Sequence, residues 1–296
     1  MHKAIGIDLG GTKINGGIID SNGEVLKRVE METGKEGPKE VLGKVSHIID
    51  SLLMEDDDIL GIGIGSPGFI DNVRGKVLSF GGNISDWQGF DIKGELSKLY
   101  LGKRIFVEND ANAAAICEGW IGAGKDFSSF IMVTLGTGIG GALYTREHGI
   151  WHGHSFQGGE LGHVILYPKG HKCKCGQFGC SEQYISGTAI ERRYKKLTGV
   201  YRSCKHIFCE SSGIANKVVD EFVDNLAIFL CTLKNFFDPE AIVIGGGLIN
   251  SKDCWWEKMI NRFHDYVNDS SSISIVPAKY LNNAGMIGAG KMVFDR

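Results

Sequence analysis

The chain has 296 residues, of which 43% are hydrophobic, and a formal net charge of -3 at pH 7. One hydrophobic core rarely extends over this length, so we expect two domains, and the mixed charges favour neither nucleic acid nor an anionic membrane as a partner. Because no apolar run approaches the roughly 20 residues of a membrane-spanning helix and the sequence does not begin like a signal peptide, we expect a cytoplasmic protein.

The predicted elements begin with an antiparallel meander. Apolar strands over 3–9 and 14–19 flank the turn GGTK, and VLKRVEM after the turn SNG is a third strand. Apolar residues at helical spacing, with a proline near the start, predict a helix over 38–54. The strand ILGIGIG leads into a predicted hairpin, FIDNVRGKV, and the strand IFVEN precedes the helix DANAAAICEGW. This alternation predicts an α/β domain with a mostly parallel sheet.

The second half repeats the opening design. After GAGK, the segment FIMVTLGTGIGGALYT predicts two strands that turn around TGIGG. A loop-rich stretch over 149–186, helices over about 187–237 and the strand AIVIGGGLI follow. The last segment, NAGMIGAGKMVF, has helical spacing, and we expect it to return to the first domain. The expected domains are 1–121 together with about 285–296, and 122–284, with a cleft between them.

Glycine turns end two of the predicted strands. In DLGGTK the threonine precedes the lysine, which departs from the P-loop pattern, and a tight hairpin is the plain alternative. Its recurrence in TLGTGIGG favours two turns that clasp a polyphosphate, with Asp8 holding a magnesium ion. GIGSPG matches G-x-G-x-x-G, but a predicted hairpin follows it, which favours a sharp bend at Gly68 over a dinucleotide site.

Asp110 lies where the strand IFVEN ends and a helix begins. Aspartate is a preferred N-cap residue, so Asp110 could simply cap the helix. The carboxyl end of a parallel strand is also where α/β domains hold catalytic groups. The sequence leaves both roles open.

Three cysteines cluster in HKCKCGQFGC, ten residues after a histidine. The set His163, Cys173, Cys175 and Cys180 matches the donor types of a structural Cys₃His zinc site. The spacing C-x-C-x₄-C is tighter than in common zinc fingers, so unbound thiols are the alternative, and His171 could replace His163. We expect the remaining nearby histidines, His148, His152 and His154, to be surface or loop residues. A zinc ion would rigidify the loop that carries Glu160 and Glu182, two candidates for binding sugar hydroxyls.

The motifs together resemble those of one family. In this order, DLGGTK, GIGIGSPG, VENDANAAA, VTLGTGIGG, GGELGH, CKCGQFGCSE and IVIGGG span nearly the whole chain and closely resemble the ROK family of sugar kinases, particularly its bacterial glucokinases. The resemblance implies an actin-like, ribonuclease-H-like fold of two α/β domains. It also implies phosphoryl transfer from magnesium-ATP to a hexose hydroxyl, usually at carbon 6, and a homo-oligomer, either a dimer or a tetramer.

The resemblance also implies roles for individual residues. Asp110 matches the family's catalytic base, which removes the proton of the sugar hydroxyl. Phosphoryl transfer otherwise requires mainly that the reacting groups be positioned and their charge neutralised. The remaining matches are Asn109, Asp110, Glu160, His163, Glu182 and Gly68 for the sugar; Asp8, Gly10, Gly11, Thr12, Lys13, Gly136, Thr137, Gly138, Gly245, Gly246 and Gly247 for the nucleotide and its magnesium; and His163, Cys173, Cys175 and Cys180 for structural zinc.

Some positions depart from the family pattern. Ala142 replaces a frequent glycine, and SFGGNISDW, with Asn83 and Trp87, replaces the usual run before the sugar site. Glucose is the expected hexose, and N-acetylmannosamine or N-acetylglucosamine is the alternative. Two interpretations come from other classes of protein. One is a sugar-sensing repressor, which would carry a DNA-binding helix-turn-helix before the first glycine turn; we expect none here, because only seven residues precede Asp8. The other is a non-catalytic sugar-binding protein.

Overall fold

The computed structural model describes residues 1–34, 37–79, 84–269 and 273–295. Two compact units divide the chain. Unit 1 comprises Met1–Lys125, His148–Gly158 and Asn282–Arg296, and unit 2 comprises Asp126–Glu147 and Gly159–Leu281. Residues 148–158 therefore belong to unit 1, which the sequence did not predict.

The strands, in chain order, are β1 (Lys3–Leu9), β2 (Lys13–Asp20), β3 (Val25–Glu32), β4 (Gly61–Ser66), β5 (Phe69–Asp71), β6 (Lys76–Ser79), β7 (Arg104–Asn109), β8 (Ser129–Leu135), β9 (Ile139–Thr145), β10 (Gly149–Ile150), β11 (Ala241–Gly245) and β12 (Ser274–Pro277). The α-helices are α1 (Pro38–Glu55), α2 (Ile92–Leu99), α3 (Asp110–Trp120), α4 (Glu182–Ile185), α5 (Gly187–Thr198), α6 (Cys204–Cys209), α7 (Gly213–Phe237), α8 (Trp256–Tyr266) and α9 (Ala284–Phe294). Among the described residues, no helix is both long and apolar enough to span a bilayer.

Unit 1 is built on a five-stranded sheet in the order β3-β2-β1-β4-β7. The meander β1–β3 is antiparallel, while β1, β4 and β7 run parallel. Helix α1 begins at Pro38, which suits a first helical turn because its missing N–H would have no partner there. Its apolar face joins the isoleucine-rich strands in one buried cluster, and α9 packs on β1, β4 and α3. The predicted meander, helix, hairpin and parallel strands are confirmed.

Unit 2 contains a second sheet with the order β9-β8-β11-β12. β8 and β9 are antiparallel, whereas β11 lies parallel to both β8 and β12. The apolar face of α7 packs with α8 and the sheet in one large buried cluster. The predicted strand pair and the strand AIVIG are confirmed. Helices α2 and α8 and strand β12 were not predicted.

Candidate functional site

The carboxyl ends of the parallel strands in unit 1 bring several predicted site residues together. Asp8, near the end of β1, pairs in register with Gly65 of β4. Ser66, at the end of β4, pairs with Asn109 of β7, and Asp110 begins α3. Because parallel strands end at the same edge of a sheet, the Asp8 and Asp110 carboxylates lie at one edge.

The N-cap of α3 is Asn109. The Asn109 Oδ1 accepts hydrogen bonds from the backbone N–H groups of Ala111 at 2.9 Å and Asn112 at 3.1 Å. Asp110 is the first helical residue, and its Oδ1 accepts from the Ala111 N–H at 2.8 Å. The interpretation of Asp110 as the helix cap is therefore wrong, since the side chain of the preceding Asn109 caps two free amides of the first turn.

Burial perturbs both carboxylates of this edge. It raises the pKa of Asp8 to about 7, the negative charge of Asp110 adds to the rise, and Arg28 opposes it. Burial also raises the pKa of Asp110, against the hydrogen bonds that favour its ionised form. Two buried carboxylates with raised pKa values at one edge form a place where a proton or a cation is favoured.

The predicted sugar-side residues of unit 1 are in contact. The Asn109 Nδ2 donates to the carbonyl oxygen of Gly68 at 3.1 Å. Gly68 follows β4 with φ of 99°, as expected for the predicted sharp bend. Trp87 is a buried side chain whose Nε1 donates to the Ser66 Oγ at 3.3 Å. Asn83 lies outside the described residues.

The first glycine turn joins β1 to β2. The Gly10 N–H donates to the Lys13 carbonyl at 2.9 Å, and the Thr33 Oγ1 donates to the Gly10 carbonyl at 2.7 Å. Thr12 and Gly11 at its tip are exposed. The Lys13 ammonium pairs with Glu30 at 2.5 Å, so this lysine has an acidic partner on β3.

The second glycine turn, Gly136–Gly138, joins β8 to β9 in unit 2. The Gly136 carbonyl accepts from the Gly187 N–H at 2.7 Å. Glu182, the first residue of α4, accepts from the Ile139 N–H at 3.1 Å through Oε2. Unit 2 thus brings the predicted sugar-binding Glu182 against a predicted phosphate turn.

The third predicted nucleotide segment, Gly245–Gly247, ends β11 beside the end of β8. Gly245 pairs in register with Thr134. Gly246 has φ of 82°, and a Cβ there would lie 2.4 Å from the Leu135 carbonyl oxygen. Only glycine fits this position, so a bare backbone lies beside the turn that follows Leu135.

The predicted metal ligands form one cluster. The ligand atoms of His163, Cys173, Cys175 and Cys180 all lie within 4.8 Å of one another. The Cys175 and Cys180 sulfurs are 3.6 Å apart, and the Cys173 sulfur is 3.8 Å from the His163 Nδ1. Three thiols and one imidazole at these separations suit a tetrahedral zinc ion. His171 is not in this group, and its ring instead stacks on Tyr184.

His163 presents its two ring nitrogens to different partners. Nδ1 faces the cysteine sulfurs, while Nε2 lies 3.9 Å from the Glu160 Oε2. Metal-binding imidazoles commonly direct the second nitrogen to a carboxylate or another acceptor. One histidine can therefore serve the metal cluster and still leave an N–H for a polar ligand beside Glu160.

Sequence reasoning missed a buried carboxylate next to Asn109. Glu108 is 3% exposed, and its Oε2 lies 2.7 Å from the His152 Nε2. His152 lies in a loop, as expected, but its side chain is only 27% exposed and has a buried acidic partner. The signal was an acidic residue near the end of an otherwise buried strand, since a buried charge requires partners.

The chain is similar to a family with characterised members. The model of the ROK family matches residues 4–296. A glucokinase of Thermotoga maritima is 35% identical over 99% of this chain and 98% of its own length. The crystal structure of a ROK hexokinase from Thermus thermophilus, 32% identical, superposes with a TM-score of 0.88 over 99% of this chain and 100% of that one.

A second solved structure is a ROK family glucokinase from Streptomyces griseus in complex with glucose and AMPPNP. It is 28% identical and has a TM-score of 0.86 over 99% of this chain and 100% of that one. These likenesses confirm the expected α/β fold of the ribonuclease-H-like kinases. With a family model matched over nearly its whole length, the chain belongs to the ROK family.

Proposed function

We propose that this protein is an ATP-dependent hexose kinase that transfers the γ-phosphate of magnesium-ATP to the 6-hydroxyl of a hexose, with glucose the first candidate. The observation that carries the proposal is the Asp110 carboxylate, at the carboxyl end of β7, with its pKa raised by burial. A relative 35% identical is a glucokinase, and a solved relative holds glucose and AMPPNP.

Asp110 is the proposed general base. A base is most effective when its pKa lies near the working pH, and burial moves the pKa of Asp110 in that direction. The hexose hydroxyl loses its proton to Asp110, its oxygen bonds to the γ-phosphorus, and the bond to the β,γ-bridging oxygen breaks, which releases ADP. Little else is required of the protein, since a loose transition state is stabilised mainly by position and charge.

We further propose that the three glycine segments, around Gly11, at 136–138 and around Gly246, bind the nucleotide. The exposed tip at Gly11 and Thr12 offers amides and a hydroxyl to phosphate oxygens. Residues 136–138 offer the same chemistry in unit 2, and the segment around Gly246 offers bare backbone to the adenosine. Lys13 would have to exchange Glu30 for phosphate.

Asp8 fits the magnesium ion that accompanies ATP. A Cβ at Gly285 would lie 2.8 Å from the Asp8 carboxyl carbon, so a glycine leaves space at this carboxylate. A pKa of about 7 is that of a carboxylate whose negative charge is poorly compensated by its surroundings. When bound, magnesium neutralises charge on the phosphates. Asp8 would hold the ion directly or through water.

The cysteine cluster fits structural zinc, which would stabilise the loop between His163 and Cys180. Glu182 follows the last cysteine by two positions, and Glu160 faces the remaining nitrogen of His163. The zinc ion would thus fix two carboxylates that bind sugar hydroxyls. This assignment gives the metal a structural role and leaves the proton transfer to Asp110.

A coupled assay with ATP over a panel of hexoses tests the proposal. We expect turnover on glucose, and N-acetylmannosamine and N-acetylglucosamine are the alternative substrates. Sugar binding without phosphate transfer would instead support the non-catalytic sugar-binding protein. The cytoplasmic location and the homo-oligomeric state are further predictions, and the second is measured by light scattering on the purified protein.

A further inference from the structure

The buried carboxylate of Glu108 is saturated with hydrogen-bond donors. Its Oε1 accepts from the Asn109 backbone N–H and the Asn112 Nδ2, both at 2.9 Å. Its Oε2 accepts from the Asn72 Nδ2 at 3.2 Å and lies 2.7 Å from the His152 Nε2. A carboxylate has about four acceptor sites. Three amide N–H groups occupy three of them, and the fourth, on Oε2, faces the His152 Nε2.

The same geometry assigns the proton of His152. The Asn72 Nδ2 and the His152 Nε2 are 2.9 Å apart, and both lie within hydrogen-bond distance of one carboxylate oxygen. If Nε2 were an acceptor, its lone pair would face a lone pair of the carboxylate Oε2 at 2.7 Å, which is repulsive. Nε2 therefore carries hydrogen and donates to Glu108 whether the ring is neutral or charged, and the two nitrogens converge on a shared acceptor.

The elements that supply these donors differ in position along the chain. Glu108 and Asn109 end β7, and Asn112 is in the first turn of α3. Asn72 belongs to the hairpin between β5 and β6. His152 belongs to residues 148–158, the excursion of the chain that unit 1 includes. One carboxylate thus ties two other segments, the β5–β6 hairpin and residues 148–158, to the turn that presents Asp110.

We propose that His152 and Glu108 are positioning residues for hexose binding. The inference rests on the proposed function. Glu108 holds the backbone N–H of Asn109, whose side chain caps α3 and contacts Gly68. His152 anchors residues 148–158 to the same carboxylate. The proposed role of both residues is to hold Asn109 and Asp110 in the geometry that a hexose requires, without taking part in proton transfer.

The test compares His152→Ala with His152→Gln, which keeps an N–H donor, and with His154→Ala as a control at a nearby exposed histidine. Hexose Kd is measured by calorimetry, and hexose KM, ATP KM and melting temperature are measured on the same full-length proteins. We expect His152→Ala to raise hexose Kd and KM about 10-fold or more, because hydrogen bonds to charged groups contribute roughly 10- to 100-fold in an equilibrium constant. ATP KM should stay within about twofold of wild type.

Rescue separates positioning from a purely structural role. His152→Gln should recover most of the hexose affinity, and His154→Ala should match wild type. Equal hexose Kd in wild type and His152→Ala would overturn the inference, as would a lower melting temperature with hexose and ATP constants unchanged. A wild type that binds hexose but transfers no phosphate would refute the proposed function and leave the Kd comparison valid.

A spectroscopic measurement does not depend on any ligand. In ¹⁵N-histidine-labelled protein, the His152 Nε2 should carry hydrogen, and its resonance should shift on Glu108→Gln. If Glu108→Gln does not fold, the resonance of His152 is identified by its absence from the His152→Ala spectrum, and its tautomer is read from the wild-type spectrum. An Nδ1–H tautomer with a bare Nε2 would contradict the hydrogen-bond assignment and overturn the inference.

Discussion

The substitution Asp110→Asn should abolish most turnover while it leaves the fold intact. The amide preserves size and shape but cannot accept the hydroxyl proton. A positioned base contributes roughly 10²- to 10⁴-fold in rate, or about 3 to 5 kcal/mol in the activation barrier. The hexose KM should change little, since an asparagine still offers a carbonyl oxygen to the hydroxyl.

The structure indicates that this loss of activity is not accompanied by a loss of stability. The side-chain amide introduced by Asp110→Asn would keep an acceptor oxygen for the Ala111 N–H, and the cap at Asn109 is untouched. Removing a charge from the first turn of α3 costs about 0.3 to 1 kcal/mol. Against this, burial makes ionised Asp110 unfavourable. The free energy of unfolding should therefore stay within about 1 kcal/mol or increase.

The effect of Asp110→Asn on the free energy of unfolding should depend on pH. Because the pKa of Asp110 is raised in the folded protein, the cost of its ionisation is absent below the unfolded pKa and complete above the folded one. Any gain in stability from Asp110→Asn should thus be larger at high pH. The assay is steady-state kinetics with urea unfolding at several pH values, and Asp91→Asn, at the N-cap of α2, is the control. Near wild-type turnover in Asp110→Asn would refute the assignment of the base.

Three further substitutions test other parts of the site. In magnesium-free buffer, Asp8→Asn should raise the melting temperature more at pH 8 than at pH 5. The pKa of Asp8 in the folded protein is about 7, so the cost of ionising its carboxylate appears as the pH rises from about 4 through 7. An equal rise in melting temperature at pH 5 and pH 8 would contradict this. Cys175→Ser should lower the zinc content below one ion per chain and raise hexose KM several-fold, and Cys209→Ser, at an exposed cysteine, is the control. An unchanged hexose KM after loss of the metal would refute the coupling between zinc and sugar binding. Gly246→Ala should lower the free energy of unfolding by roughly 1 to 3 kcal/mol in urea titrations, because its backbone is one that only glycine adopts easily, whereas Gly247→Ala, with open space at the Cβ, should be near neutral.

Local patterns accounted for much of the fold. Strict apolar spacing predicted α1, and strand-turn-strand punctuation predicted β1–β3 and β8–β9. The edge strand β12 has only partly buried residues and ends in proline, so its pattern is weak. Helix α8 buries Met259 and Phe263 at helical spacing, a signal that was present but short. Membership of 148–158 in unit 1 depends on tertiary contacts that no local pattern encodes.

The candidate site divides in the same way. Cysteine spacing predicted the Cys₃His cluster because its ligands lie close in sequence, but it left His171 open as an alternative to His163, which the structure excludes from the cluster. The choice of helix cap was not predictable, since asparagine and aspartate at 109 and 110 are equally good caps. The partner of Glu108 could not be predicted either. His152 is 44 positions away in the sequence, and no neighbouring residue marks it as the partner of a buried carboxylate.

In the proposed mechanism Asp110 removes the proton from the hexose hydroxyl. A crystal structure with glucose and a non-hydrolysable ATP analogue would show the distance between these two groups. We expect the 6-hydroxyl oxygen within about 2.6 to 3.2 Å of an Asp110 carboxylate oxygen, in line with the terminal phosphorus. A bound hexose whose 6-hydroxyl faces another residue, with the Asp110 carboxylate directed into solvent, would contradict it.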